Sequence, residues 1–195
     1  DEYLKAFDRR ILQGLTDEHF IKLDLGKLEN PQQIMLFLTG WVFPTDTSLN
    51  VAISQNPNIA PPRPLSIQVS DGKGGWREAI PYTGFPGGKT KTIAIDISDI
   101  LPADDYRLRL TTSMQLCWDQ IFFTVDEKPA DVESTELPLI AADLHFRGFS
   151  RRIEHPGNGP ESYDYNQVDT APKWPPMAGR FTRYGDVASL LRTED

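Results

Sequence analysis

Ile93-Ala-Ile-Asp-Ile97, Tyr106-Arg-Leu-Arg-Leu110 and Trp118-Asp-Gln-Ile-Phe-Phe123 decide the fold class. In the first, Ile93, Ile95 and Ile97 form an apolar row against Ala94 and Asp96. In the second, Leu108 and Leu110 oppose Arg107 and Arg109. Such period-two alternation buries one face of a sheet and wets the other, the pattern of antiparallel layers. Working outward, the same rhythm runs from His19 to Val125. His19–Leu25 turns Ile21, Leu23 and Leu25 one way and Lys22 and Asp24 the other. Ile34-Met-Leu-Phe-Leu38 is continuously apolar, as expected of a central strand covered on both faces. Ser48–Ser54 and Leu65–Val69 alternate again, and Asp71-Gly-Lys-Gly-Gly75 reads as a hairpin-type turn into Trp76–Ile80. About eight short strands within roughly 105 residues is sandwich or jelly-roll spacing, so an all-β antiparallel β-sandwich is predicted.

On either side the texture changes. Residues 1–18 form a lead-in in which Tyr3, Leu4, Phe7, Ile11, Leu12 and Leu15 recur at helical intervals, predicting a short amphipathic helix. The sandwich is expected to span residues 19–146, with one further strand within Leu137–Phe146. Residues 147–195 make a long, mostly irregular C-terminal arm. Its Tyr163, Tyr165 and Trp174 are too many rings for a freely solvated tail, so the arm is expected to pack on the sandwich. Gly185–Leu191 reads as a short helix capped by Asp186.

Composition narrows the function classes. The 195 residues carry a formal charge of −8, which argues against a nucleic-acid partner, since phosphate binding needs concentrated Lys and Arg. No apolar run approaches the ~18 residues of a membrane span, so no membrane insertion is expected. Cys117 is the sole cysteine, which rules out an intramolecular disulfide and reads as a small buried hydrophobe. The start at Asp1-Glu-Tyr suggests a segment of a longer polypeptide, possessing no targeting signal of its own. The compartment is therefore open, with an extracytoplasmic one admissible.

No metalloprotease helix motif, paired-cysteine motif, nucleophile elbow or phosphate loop occurs, and a non-enzymatic protein is expected. His19, His145 and His155 read as surface or hydrogen-bonded histidines. Asp96, Asp99, Asp104 and Asp105 surround one inter-strand loop. They are candidate Ca²⁺ ligands, although turn formation explains Asp there as well, and no cofactor beyond such a structural ion is expected. The better lead is aromatic. Gly40–Asn50 carries Trp41, Phe43, Asp46 and Asn50, Trp118-Asp119 opens a strand, and Arg107 stands on an outward face. A ring flanked by Asp, Asn and Arg is how a sandwich builds a shallow binding site. The candidate ligand-binding set is Trp41, Asp46, Asn50, Arg107, Trp118 and Asp119. The competing reading places both tryptophans in the core or beneath the arm.

Leu65-Ser-Ile-Gln-Val-Ser-Asp-Gly72, Trp76-Arg-Glu78 and Ile95-Asp-Ile-Ser-Asp-Ile-Leu-Pro102 resemble the galactose-binding-like jelly roll. Phe37-Leu-Thr-Gly-Trp-Val-Phe-Pro-Thr-Asp-Thr-Ser48, Gly84–Thr92, Asp143–Arg151 and Phe181–Val187 make the chain similar to an uncharacterised module. That module occurs in bacterial proteins carrying ASPIC/UnbV, FG-GAP or tetratricopeptide repeats. The resemblance implies a binding module within a larger protein, whose partners are a protein or neighbouring domains. The alternative is a carbohydrate-binding module. It carries no established activity and no ligand residues onto this chain.

Overall fold

A computed structural model of the chain describes residues 12–128, 130–154, 159–160, 162–171 and 179–192. The chain divides into two compact units. One runs to Lys128 and takes in His155–Glu161; the other comprises Pro129–Glu154 and Ser162–Asp195.

Among the described residues the first unit holds seven strands: β1 (Leu15–Asp24), β2 (Ile34–Val42), β3 (Ser66–Ser70), β4 (Trp76–Ile80), β5 (Lys91–Asp96), β6 (Arg107–Met114) and β7 (Leu116–Val125). They form two antiparallel sheets, ordered β1-β6-β3-β4 and β5-β2-β7. The alternation read from sequence sets their facing. Leu36 and Leu38 of β2, Ile67 and Val69 of β3, and Leu108 and Leu110 of β6 belong to one buried cluster shared by both sheets. Each such side chain contributes roughly 1.5–3 kcal/mol through removal from water. In central β2 the core-facing residues are buried and Met35, Phe37, Thr39 and Trp41 between them are half-buried.

The turn at Asp71–Gly75 joins β3 to β4 as expected. The Asp71 Oδ1 accepts the Lys73 and Gly75 amide hydrogens, each at 2.8 Å. Two expected elements differ. Ser48–Ser54 is not a strand but part of helix α1 (Thr47–Gln55). Leu49, Val51 and Ile53 satisfy alternation, yet Leu49, Ala52 and Ile53 satisfy helical spacing equally well, and the cap decides between them. Gly185–Leu191 is not a helix: Gly185–Asp186 is strand β11, and the following turn is closed by Leu190 N–H to Val187 O at 3.0 Å. Asp186 does cap that turn, accepting the Ala188 amide hydrogen at 2.9 Å. The expected N-terminal helix lies largely on residues 1–11, outside the described residues, and Leu15–Asp17 already belong to β1.

The second unit is more regular than the arm foreseen from sequence. β9 (Phe149–Ile153) pairs antiparallel with β10 (Ser162–Asp169), and β8 (Asp143–Leu144) pairs with β11. The strand anticipated within Leu137–Phe146 is reduced to the two residues of β8. Arg151 ties the longer ladder by donating from Nη1 to the Gln167 Oε1 at 2.6 Å.

Candidate functional site

The two tryptophans of the candidate set lie on adjacent strands but serve opposite faces. Gly40 pairs with Trp118, and Trp41 pairs with Cys117. Trp118 faces inward because β7 carries a bulge: Thr39 opposes Gln120 while Gly40 opposes Trp118, leaving Asp119 as the extra residue. The indole lies across Gly40, where a Cβ would come within 2.8 Å of its ring. It packs against the core, and exposed Asp119 occupies the bulge.

Trp41 stands on the outer face of β5-β2-β7. Its ring meets Phe43 edge-on, with centroids 6.3 Å apart, and further along Phe37 stacks on Phe122 at 4.8 Å and 8°. Asp46 and Asn50 are committed to local structure beside it. The Asp46 Oδ1 accepts the Leu49 amide hydrogen at 2.7 Å as the N-cap of α1. The Asn50 Oδ1 accepts from the Thr45 hydroxyl at 2.8 Å. Arg107 is remote from this group. It opens the eight-residue β6 in the other sheet, at the end of that strand away from the Gln115 link into β7. The structure therefore gathers Trp41, Asp46 and Asn50 around the β2–α1 connection, but not Trp118 or Arg107 with them.

Arg107 has its own partner. Its Nε and Nη2 donate to the two oxygens of Asp105 at 2.7 and 2.6 Å. The hydrogen bond from that guanidinium holds the Asp105 carboxyl well below the usual carboxylate range. Asp96 is lowered too, first by the Ser98 hydroxyl and then by the Ser98 amide. Of the acids considered for Ca²⁺, Asp105 is thus engaged by arginine and Asp96 by Ser98. Asp99 and Asp104 are exposed, and among the described residues no three His, Cys, Asp or Glu side chains converge as metal ligands. His145 Nδ1 lies 2.9 Å from the Asp143 Oδ2, His19 contacts the Thr16 hydroxyl at 3.0 Å, and His155 lies outside the described residues.

Sequence reasoning missed a second cluster, on the outer face of β1-β6-β3-β4. Arg109 of β6 lies opposite Lys22 of β1 and Gln68 of β3. Its guanidinium carbon sits 4.1 Å from the centroids of both Phe20 and Trp76. Strand order sets those rings on either side of β6, one from β1 and one from β4. Nearby, Arg63 bridges Glu18 at 2.6 Å and Glu78 at 3.0 Å. The clue was Phe20 itself, an apolar residue on the polar side of the Lys22–Asp24 alternation.

In the second unit, Tyr163 and Tyr165 lie 6.4 Å apart beside a depression of about 530 Å³ bordered by Arg151, Ile153 and Gln167. Among the described residues no helix is long and apolar enough to cross a membrane. Comparison with family models, with curated proteins and with solved structures yields no match.

Proposed function

We propose that the chain is a non-catalytic interaction module of a larger bacterial protein. In this reading it is a galactose-binding-like jelly-roll sandwich whose second unit docks a protein partner or a neighbouring domain. The observation that carries the reading is the distribution of apolar surface. Among the described residues of the second unit, Ala188 is the sole buried hydrophobic residue, whereas Leu137, Ile140, Phe146, Phe181, Tyr184 and Leu191 are exposed. Ladders as short as β8–β11 and β9–β10 need a covered face for stability, and open apolar area of this kind marks a surface for a partner. Leu137 and Ile140, 84% and 89% exposed, lie in a stretch without regular secondary structure, whose backbone is open to pairing with a partner.

The test uses an apolar fluorophore, 1-anilinonaphthalene-8-sulfonate, together with light scattering after size exclusion. The native chain is expected to enhance the dye's emission or to self-associate. Leu137→Asp with Ile140→Asp should reduce both while leaving the melting temperature unchanged. A native chain that stays monomeric and leaves the dye dark overturns the reading.

A carbohydrate-binding module is the second reading, favoured by the outward Trp41 with Phe43 edge-on beside it. Aromatic faces at a sheet surface stack on the C–H side of a sugar ring. A glycan array probed with the native chain and with Trp41→Ala separates the two: binding lost in the variant places sugar recognition first.

A further inference from the structure

We propose that Arg109, clamped by Phe20 and Trp76, anchors a docking site for a partner-protein segment that presents one Asp or Glu carboxylate beside an apolar side chain. The site lies on the four-stranded sheet and does not depend on the apolar surface of the second unit. A guanidinium carries its donors in the plane of the group, and ring contacts over its faces leave that edge for an acceptor. Contact with Phe20 and Trp76, each centroid 4.1 Å from the guanidinium carbon, restricts the side chain, which favours bidentate docking of a carboxylate.

Among the described residues, the charge on Arg109 is met by the two rings and by no carboxylate. Its Nε is buried with no hydrogen-bond partner, and among the described residues Arg109 makes no ion pair. The neighbouring arginines differ: Arg63 is bound by Glu18 and Glu78, Arg107 by Asp105, and Arg77 donates to the Ile100 carbonyl at 3.1 Å. A cation partly removed from water and left unpaired is costly, and a carboxylate arriving at the terminal nitrogens relieves that cost.

Surroundings set the class of ligand. Glu18, Glu78 and Asp24 border the same face, and the chain carries a formal charge of −8. Repulsion therefore grows with each charge on the ligand and disfavours a polyanion most, while Glu18 and Glu78 are themselves paired with Arg63. Phe20 is 51% exposed and offers an open ring to an apolar neighbour of that carboxylate. An arginine and a tryptophan packed together, rimmed by Lys22, Gln68 and Glu78, match the composition of protein-interface hot spots.

The experiment titrates the full chain by nuclear magnetic resonance at fixed ionic strength. The probes are acetyl-Leu-Glu-Leu-amide, its Gln counterpart and sodium glucuronate. The Glu peptide should shift the Trp76 indole resonance saturably, and the Gln peptide should bind about tenfold more weakly or not at all. Arg109→Gln should abolish the preference for Glu over Gln. Phe20→Ala, at an exposed position, should weaken the Glu peptide several-fold in a chain that remains folded. Equal binding of the two peptides, a preference that survives Arg109→Gln, or the absence of saturable binding would overturn the site. Glucuronate binding as tightly as the Glu peptide would overturn the assignment to a protein partner.

Discussion

Asp46 stands where a loop acid would meet a ligand, yet its Oδ1 is taken by the Leu49 amide hydrogen. Asp46→Ala should destabilise the protein by about 1 kcal/mol through loss of the cap, whereas Asp46→Asn, an equally good cap, should be nearly neutral. Urea unfolding midpoints of the two variants check this. A ligand role would instead show both variants weakening binding with stability intact. Asp105 makes a second residue-scale case. Its folded carboxyl titrates below its unfolded value of about 3.9, so its contribution is complete above that pH and fades as pH falls toward the folded value. The urea midpoint of the native chain should therefore drop between pH 5 and 3, and Asp105→Asn should drop less across that window. Individual roles such as these were poorly legible in sequence. Asp46 and Asp105 look alike there, and what separates them is whether a backbone amide or the Arg107 fork arrives opposite.

Gly40 shows what an element demands of its sequence. A Cβ at this position would lie 2.3 Å from the Cys117 carbonyl oxygen and 2.8 Å from Cε3 of Trp118. Gly40→Ala is expected to cost about 1–3 kcal/mol, as overpacked core positions do. Shrinking Trp118 to Leu should not rescue it, because the nearer obstacle is backbone. Thermal melts of the single and double variants decide the point. Strands were legible wherever one face met the core and the other met water, as in β1, β5 and β6. Legibility failed where two periods fit the same residues. Within Ser48–Ser54 the apolar positions suit both strand and helix, and the Asp46 cap tips the segment into α1. The bulge at Asp119 was equally hidden, since one inserted residue turns Trp118 inward without altering the local composition.

At the scale of the molecule, an all-β antiparallel class follows from alternation alone, but strand order does not. β1 pairs with β6, as Leu23 with Leu108 and Lys22 with Arg109, and no local pattern announces a partner so distant along the chain. The Arg109 cluster was hidden for the same reason, because β1, β6 and β4 must come together before Phe20 and Trp76 meet across it. Core placement was more accessible, and it carries a final prediction. The shared cluster from Leu25 through Leu116 lies entirely before Lys128, so among the described residues the energy of burial belongs mainly to the first unit. A domain of this size buries about two-thirds of its unfolded surface, sufficient for independent folding. A fragment ending at Lys128 should accordingly melt in one cooperative transition with retained near-ultraviolet dichroism. The fragment from Pro129 onward, with Ala188 as the sole buried hydrophobic residue among those described, should show no cooperative transition by itself. Calorimetry of the two fragments tests both halves. Cooperative melting of the second would mean that it closes its own core, leaving the exposed Leu137 and Ile140 without need of a partner.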